Sequence, residues 1–284
     1  MGNHIEFENF SSSGSTIPMV YFALNVEATQ PEGNGHGFTT NKFPVDYKNH
    51  AWRLYGLREG VENILSLFLK HNLPISLLIN SNALRQCANI CPLINDLPNC
   101  EIIGHGVSNS DYFHELSSND QKKQAIQVKS YLEKYFKKNV TGWLSPWING
   151  NKHTIWALNS SGYQYTLDWS VSDYVGQLTD TKGNKIFSVP YNIEVNDTPS
   201  LCAKSLSAED YTQSIFDYIK GVSLLPERDK RPVIALPFHT PVFGRPHRLV
   251  YLDKILTRLK CSHDQGQIQL TTPSSILKIL GVIK

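Results

Sequence analysis

The chain has 284 residues, 40% of them hydrophobic and 18% charged, with a formal net charge of +2. That length suits a single α/β barrel domain, and the apolar content is enough for a large core and too high for a disordered chain. The near-neutral balance, with no block of Lys or Arg, argues against a nucleic-acid or anionic-membrane surface and points to a small-molecule partner.

The opening stretch, MGNHIEFENFSSSGSTIP, has no basic segment followed by an apolar one, so no secretory signal is read there. Glu6 stands where a myristoylation motif needs Ser or Thr. No apolar run reaches the length that spans a bilayer. Residues 1–17 are expected as a polar N-terminal arm, residues 18–284 as one domain, and the cytoplasm as the location. Cys87 and Cys91 have helical spacing, but no second cysteine pair or nearby His completes a zinc set. All five cysteines are expected as reduced thiols.

Residues 18–27, PMVYFALNVE, form a near-continuous apolar run that ends in Asn25 and Glu27. Alternation puts those two side chains on one face of a strand. Residues 28–55 read as a long polar loop carrying His36, His50, Trp52 and Tyr55, and its aromatics suit the wall of a cavity. A helix is predicted over 59–70 from the spacing of Val61, Ile64, Leu65, Leu67 and Phe68, with Asn72 to Pro74 stopping it. ISLLIN, 75–80, is a second buried strand, and EIIGH, 101–105, a third that closes on His105 and Gly106. Ser118 to Phe136 is an amphipathic helix with Ser118 as its cap.

Strands follow at 140–146, 163–170, 186–192, 233–239 and 268–272, with helices over 154–160, 208–224 and 249–259 and one starting at Pro273. Apolar strands mostly separated by helices call for parallel pairing, and a barrel is the simplest closure for that count. The predicted class is α/β, an irregular (β/α) barrel of seven or eight parallel strands. In such folds chemistry gathers at the C-terminal ends of the strands. Those ends offer Asn25, Glu27, Asn80, His105, Ser145, Asp168, Asn192, His239 and Thr272. A carboxylate and two imidazoles at one mouth can hold a metal or move protons to and from water and a leaving amine. No Gly-x-Ser-x-Gly nucleophile turn is present, so attack by water is the expected chemistry.

At these segments the sequence resembles the polysaccharide deacetylase superfamily, or carbohydrate esterase family 4, and within it the branch of cofactor-independent allantoinase-like proteins. The matching stretches are LNVE (24–27), WRLYGLREGVENIL (52–65), EIIGHGVSNS (101–110), GWLSP (142–146), VPYNIEVND (189–197) and FHTPVFGRPHR (238–248). The resemblance implies hydrolysis of a carbon–nitrogen bond other than a peptide bond, in a small cyclic or linear amide. It places Asn25 where the family has its aspartate base, Glu27 at the metal carboxylate, and His105 and His239 at the first metal histidine and the late acid histidine. Asn109 stands in the place of the second metal histidine.

Two ligands, Glu27 and His105, are too few to hold zinc firmly, so either no cofactor or a weakly bound divalent metal is expected. In the metal-free form of the mechanism Glu27 is the base, Asn25 and His105 orient water or substrate, and His239 protonates the departing nitrogen. Trp52, Tyr55, Trp143, Ser145, Asp173 and Arg245 are the candidates for substrate contact, Arg245 as a clamp on a carboxylate or carbonyl. Two alternatives stand beside this reading: a metal-dependent deacetylase of an N-acetylated sugar, and a non-catalytic binding protein on the same scaffold. The resemblance also implies a homo-oligomer.

Overall fold

The computed structural model describes residues 5–10, 15–32, 45–87, 90–225 and 230–283. His36 and the glycines of the 33–37 stretch lie outside the described residues. Strand β2, Met19–Val26, is buried along its whole length. On its two sides lie β9, Val233–His239, and β3, Ile75–Ile79, both parallel to it. From β3 the parallel pairing runs on through β4, Cys100–Gly104, then β5, Gly142–Trp143, β6, Tyr165–Thr166, and β8, Lys185–Ser188. A short β10, Gln269–Thr271, joins β2 at residues 19–21. The helices that connect the strands pack outside the sheet, as the crossovers of parallel strands require.

The predicted strands at 140–146 and 163–170 shrink to two residues each in β5 and β6, because Pro146 and the turn around Asp168 end the pairing early. Two antiparallel strands were not anticipated. Residues 176–188 fold into a hairpin of β7, Gly176–Asp180, with β8, and β1, Ile5–Asn9, pairs with β7. Part of the expected polar arm is therefore a strand of the sheet, its Ile5 and Phe7 packing on the core. The stretch read as a loop contains helix α1, Tyr47–Tyr55, capped by the Asp46 side chain. It runs through a π turn at Gly56–Gly60 directly into α2, Val61–His71, which ends at left-handed Asn72.

Alternation along β2 divides the core. Val20, Phe22, Leu24 and Val26 face the helices, while Met19, Tyr21 and Ala23 face the barrel interior. Helix α9, Pro273–Ile279, supplies Ile276 and Leu277 to that interior cluster, so the inside below the strand ends is packed. Asn25 and Glu27 continue the inward face at the upper end.

The strand ladder does not close between β8 and β9. That seam is bridged instead: Val233 N–H donates to the Asp173 carbonyl (2.8 Å), Ala235 N–H to Asn192 Oδ1 (2.7 Å) and His239 N–H to Asp197 Oδ2 (2.7 Å). Pro237, between them, has no N–H to satisfy. Among the described residues no helix is long and apolar enough to cross a membrane.

Candidate active site

A cavity of about 580 Å³ opens at the C-terminal ends of the strands. Asn25, Glu27, Trp52, Arg53, His105 and His239 all line it, with Asn109, Trp147, Ile148, Tyr191, Ile193 and Val242 among the other walls. The two imidazoles that the sequence placed at strand ends thus meet the carboxylate of Glu27. His105 Nε2 and His239 Nε2 stand 3.4 and 3.5 Å from Glu27 Oε1, and Arg53 Nη1 stands 3.4 Å from Oε2. These separations are long for direct hydrogen bonds and suit groups that also share water or a ligand.

Each imidazole is oriented by a partner at its Nδ1. His105 Nδ1 lies 2.8 Å from the Leu144 carbonyl, which only accepts, so Nδ1 carries the hydrogen and Nε2 of the neutral ring presents a lone pair. His239 Nδ1 lies 2.6 Å from Asp197 Oδ1. Burial opposes a charge on His239, but the carboxylates of Asp197 and Glu27 outweigh it and raise its pKa to about 10. At neutral pH this ring is a cation holding a proton at Nε2. Burial likewise works against an ionised Glu27, yet the positive charge and the hydrogen bond of His239 hold its pKa well below the usual value. Free protein therefore carries a carboxylate and an imidazolium side by side.

Arg53 reaches the site because of how α1 is seated. A Cβ on Gly60 would lie 2.3 Å from the Thr240 carbonyl oxygen, and one on Gly244 would lie 2.3 Å from the Gly60 Cα. Only glycine allows the π turn that continues α1 to touch the segment that follows His239, α7 at Thr240–Phe243 and Gly244, and this contact fixes the end of the helix that carries Arg53. Opposite it, Trp147 (φ 64°) and Ile148 (φ 57°) take left-handed backbone that a β-branched residue rarely adopts. The Trp147 indole N–H donates to the Asn109 carbonyl at 2.8 Å and holds this wall in place.

Asn25 has a structural reason to be an amide. Its Nδ2 donates to Tyr191 Oη (2.9 Å) and to the Phe238 carbonyl (3.1 Å), and a carboxylate can donate to neither. Asn109 is bound into the framework too: its N–H donates to the Ala28 carbonyl (2.8 Å) and its Oδ1 accepts from Asn80 Nδ2 (3.1 Å). A zinc ion needs three or four protein ligands. Here only Glu27 and His105 are available on the positions the resemblance implies, and the permanently cationic Arg53 occupies one side of the carboxylate. This donor set does not fit a zinc site.

Five of the expected substrate contacts are not among the cavity's lining residues. Trp143 is fully buried in the outer core between Phe113 and Tyr163, its β5 position facing the helices. Its indole N–H donates to Ser145 Oγ (2.9 Å), and Ser145 in turn donates to Asp168 Oδ2 (2.8 Å), so Ser145 is a buried link beneath the site. Burial raises the Asp168 pKa to about 6 against the hydrogen bonds from Ser145. Arg245 stacks on the Tyr55 ring at 3.7 Å and donates to the Trp52 carbonyl (3.3 Å), which braces α1 from outside. Asp173 sits at the other end of the seam, beside the start of β9, and accepts from Tyr218 Oη (3.4 Å). Only Trp52 of that set lies at the cavity.

The residues missed were Arg53 and Asp197. Arg53 lay in a stretch read as loop, where no spacing showed which way it faced. Asp197 had a usable signal: a histidine acting as acid at neutral pH needs a carboxylate partner, and VPYNIEVND offered two.

The sequence matches no family model and no curated protein. Solved structures do match it. The PuuE allantoinase has a TM-score of 0.77 at 18% identity, over 95% of both chains. A polysaccharide deacetylase-type protein of Mycobacterium smegmatis gives 0.79 at 16% identity, covering 98% of this chain and 96% of that one. One of Pseudomonas aeruginosa PAO1 gives 0.75 at 18%, covering 92% and 90%. The chain has the polysaccharide deacetylase fold. In that fold, the inward face of β2 and the ends of β4 and β9 supply Asn25, Glu27, His105 and His239 to one cavity, and α1 adds Arg53.

Proposed function

We propose that the protein is a hydrolase of carbon–nitrogen bonds other than peptide bonds, acting on a small amide, cyclic or linear, by attack of water. The observation that carries this is the meeting of His105 Nε2 and His239 Nε2 at one oxygen of Glu27, 3.4 and 3.5 Å away, in the wall of one cavity. Water held by Glu27 and His105 attacks the amide carbon. Glu27, kept ionised by its cationic neighbours, is a weak base, so the water proton goes to His105 Nε2 while Glu27 orients the water and keeps His239 charged. His239 then gives its Nε2 proton to the departing nitrogen, and Asp197 stabilises the ring through both states. This moves the base role from Glu27, its holder in the metal-free form of the mechanism, to His105.

The cavity walls Trp52, Trp147, Ile148, Ile193 and Val242 favour a compact, partly apolar substrate over a polymer. A panel of cyclic amides, imides, ureides and N-acetylated sugars, followed by release of carboxylate and amine, tests the reading. His239→Ala is expected to lower kcat by about a hundredfold or more in a protein that stays folded by circular dichroism but melts lower, since Asp197 loses its partner; equal turnover would remove His239 from the chemistry. A binding role without turnover is the second reading, favoured by Asn25 where the family's base would stand. It predicts a ligand that raises Tm and is recovered intact.

A further inference from the structure

The cation at the centre of this site belongs to a side chain. We propose that Arg53 is a catalytic residue that acts as the electrophile of the reaction: its guanidinium binds the amide oxygen and carries the charge that develops on it. The inference rests on the hydrolase reading. Arg53 is one of the cavity's lining residues, it is nearly buried, and its Nη1 stands 3.4 Å from Glu27 Oε2, on the carboxylate oxygen opposite the one shared by the imidazoles. Water held on the imidazole side and a carbonyl oxygen drawn to the guanidinium side would bring the attacking oxygen and the amide carbon together.

The donor set already explains why such a group is needed. It does not suit a Lewis-acid metal, and the other two cationic or polarisable groups are committed to protons: His105 presents an acceptor and His239 must give its proton to nitrogen. An arginine never loses its charge in the working pH range and presents a fork of N–H donors, as an oxyanion requires. The balance closes without a co-reactant. The water oxygen bonds to the amide carbon and its proton passes to His105. The carbonyl π pair becomes an oxyanion hydrogen-bonded to Arg53, which keeps all its protons. When the oxyanion collapses, the carbon–nitrogen bond breaks and nitrogen takes the proton of His239.

The alternative is that Arg53 only holds Glu27 in place, as a positioning residue would. Phenylphosphinate separates the two: it is a tetrahedral monoanion with an aromatic group for the Trp52 and Trp147 walls, and its binding needs no turnover. Calorimetric Kd values are measured for the wild type, Arg53→Met, Glu27→Gln and the double variant, which removes both partners of the ion pair and so guards against misfolding. Arg53→Met is expected to weaken binding at least tenfold in both the wild-type and the Glu27→Gln backgrounds. A loss confined to the background that has Glu27, or no binding to the wild type, overturns the proposal. With an amide substrate in hand, Arg53→Met should lower kcat by about a hundredfold with a smaller change in KM. If no amide is turned over while Arg53-dependent phosphinate binding persists, the hydrolase reading fails and the anion site stands.

Discussion

Two glutamates face the interior of this barrel, and the barrel treats them in opposite ways. Glu27, at the mouth, and Glu101, deeper on β4, both have their carboxyl groups surrounded by protein, so burial alone would push both pKa values up. Around Glu27 stand two imidazoles and a guanidinium, and the pKa falls well below the ordinary value. Around Glu101 stand neutral donors, Tyr165 Oη at 2.6 Å and Ser274 N–H at 3.0 Å, and the pKa stays raised. Equal desolvation with unequal company gives one carboxylate built for charge and one built to fasten α9 to β4.

The sharpest break of this comparison is in stability. A lowered carboxylate pKa adds stability above the unfolded value and loses it as pH falls through the folded one; a raised pKa has the opposite sign. Glu27→Gln leaves Arg53 and His239 as buried cations without their shared anion, so it is expected to cost ~3–5 kcal/mol in urea unfolding at neutral pH. An Asp at position 25 would set an anion against the Phe238 carbonyl. Asn25→Asp should therefore cost ~1–3 kcal/mol and produce no zinc binding by calorimetry, although it restores the residue type that the family uses as base. A stable, zinc-binding Asn25→Asp protein would revive the deacetylase reading.

Asp197→Asn probes the charge on His239. A raised imidazole pKa adds stability that is whole below the unfolded value and is lost as pH climbs toward about 10. Wild-type activity should hold until its alkaline limb near pH 10, since the acid must stay protonated, and in the variant that limb should move down by ~1–3 units in a kcat/KM profile. The smallest effect is expected for Glu101→Gln. It removes a costly buried charge far from the chemistry, so stability at neutral pH should match or exceed the wild type to within about 1 kcal/mol, with unchanged kcat.

The sequence showed the barrel where side-chain burial repeats in a simple way. Runs such as MVYFALNV and VIALPFH could only be buried parallel strands, and the polar residue ending each one marked the mouth. What it hid were elements whose identity depends on partners. β1 is a half-buried edge strand and β7 its half-buried neighbour, both without a strong apolar run, and α1 is a helix of polar composition whose place is set by the glycine contacts of the turn that follows it. Trp143 and Trp52 show the same limit at the level of one side chain. Both are aromatics in matched segments, yet a strand position facing the helices buries one in the core, while a helix position facing the cavity exposes the other to ligand.

The seam beside β9 has a consequence for self-association. VIALPFH is an apolar, β-prone strand, and an unpaired edge on such a strand is a template onto which another chain can add. Here the three N–H groups along that edge are already taken, by a carbonyl and by the side chains of Asn192 and Asp197, and at the fourth place Pro237 offers none. Asp197 thus has a second duty besides orienting His239: it occupies the last open N–H on an edge of β9 that would otherwise be free to pair.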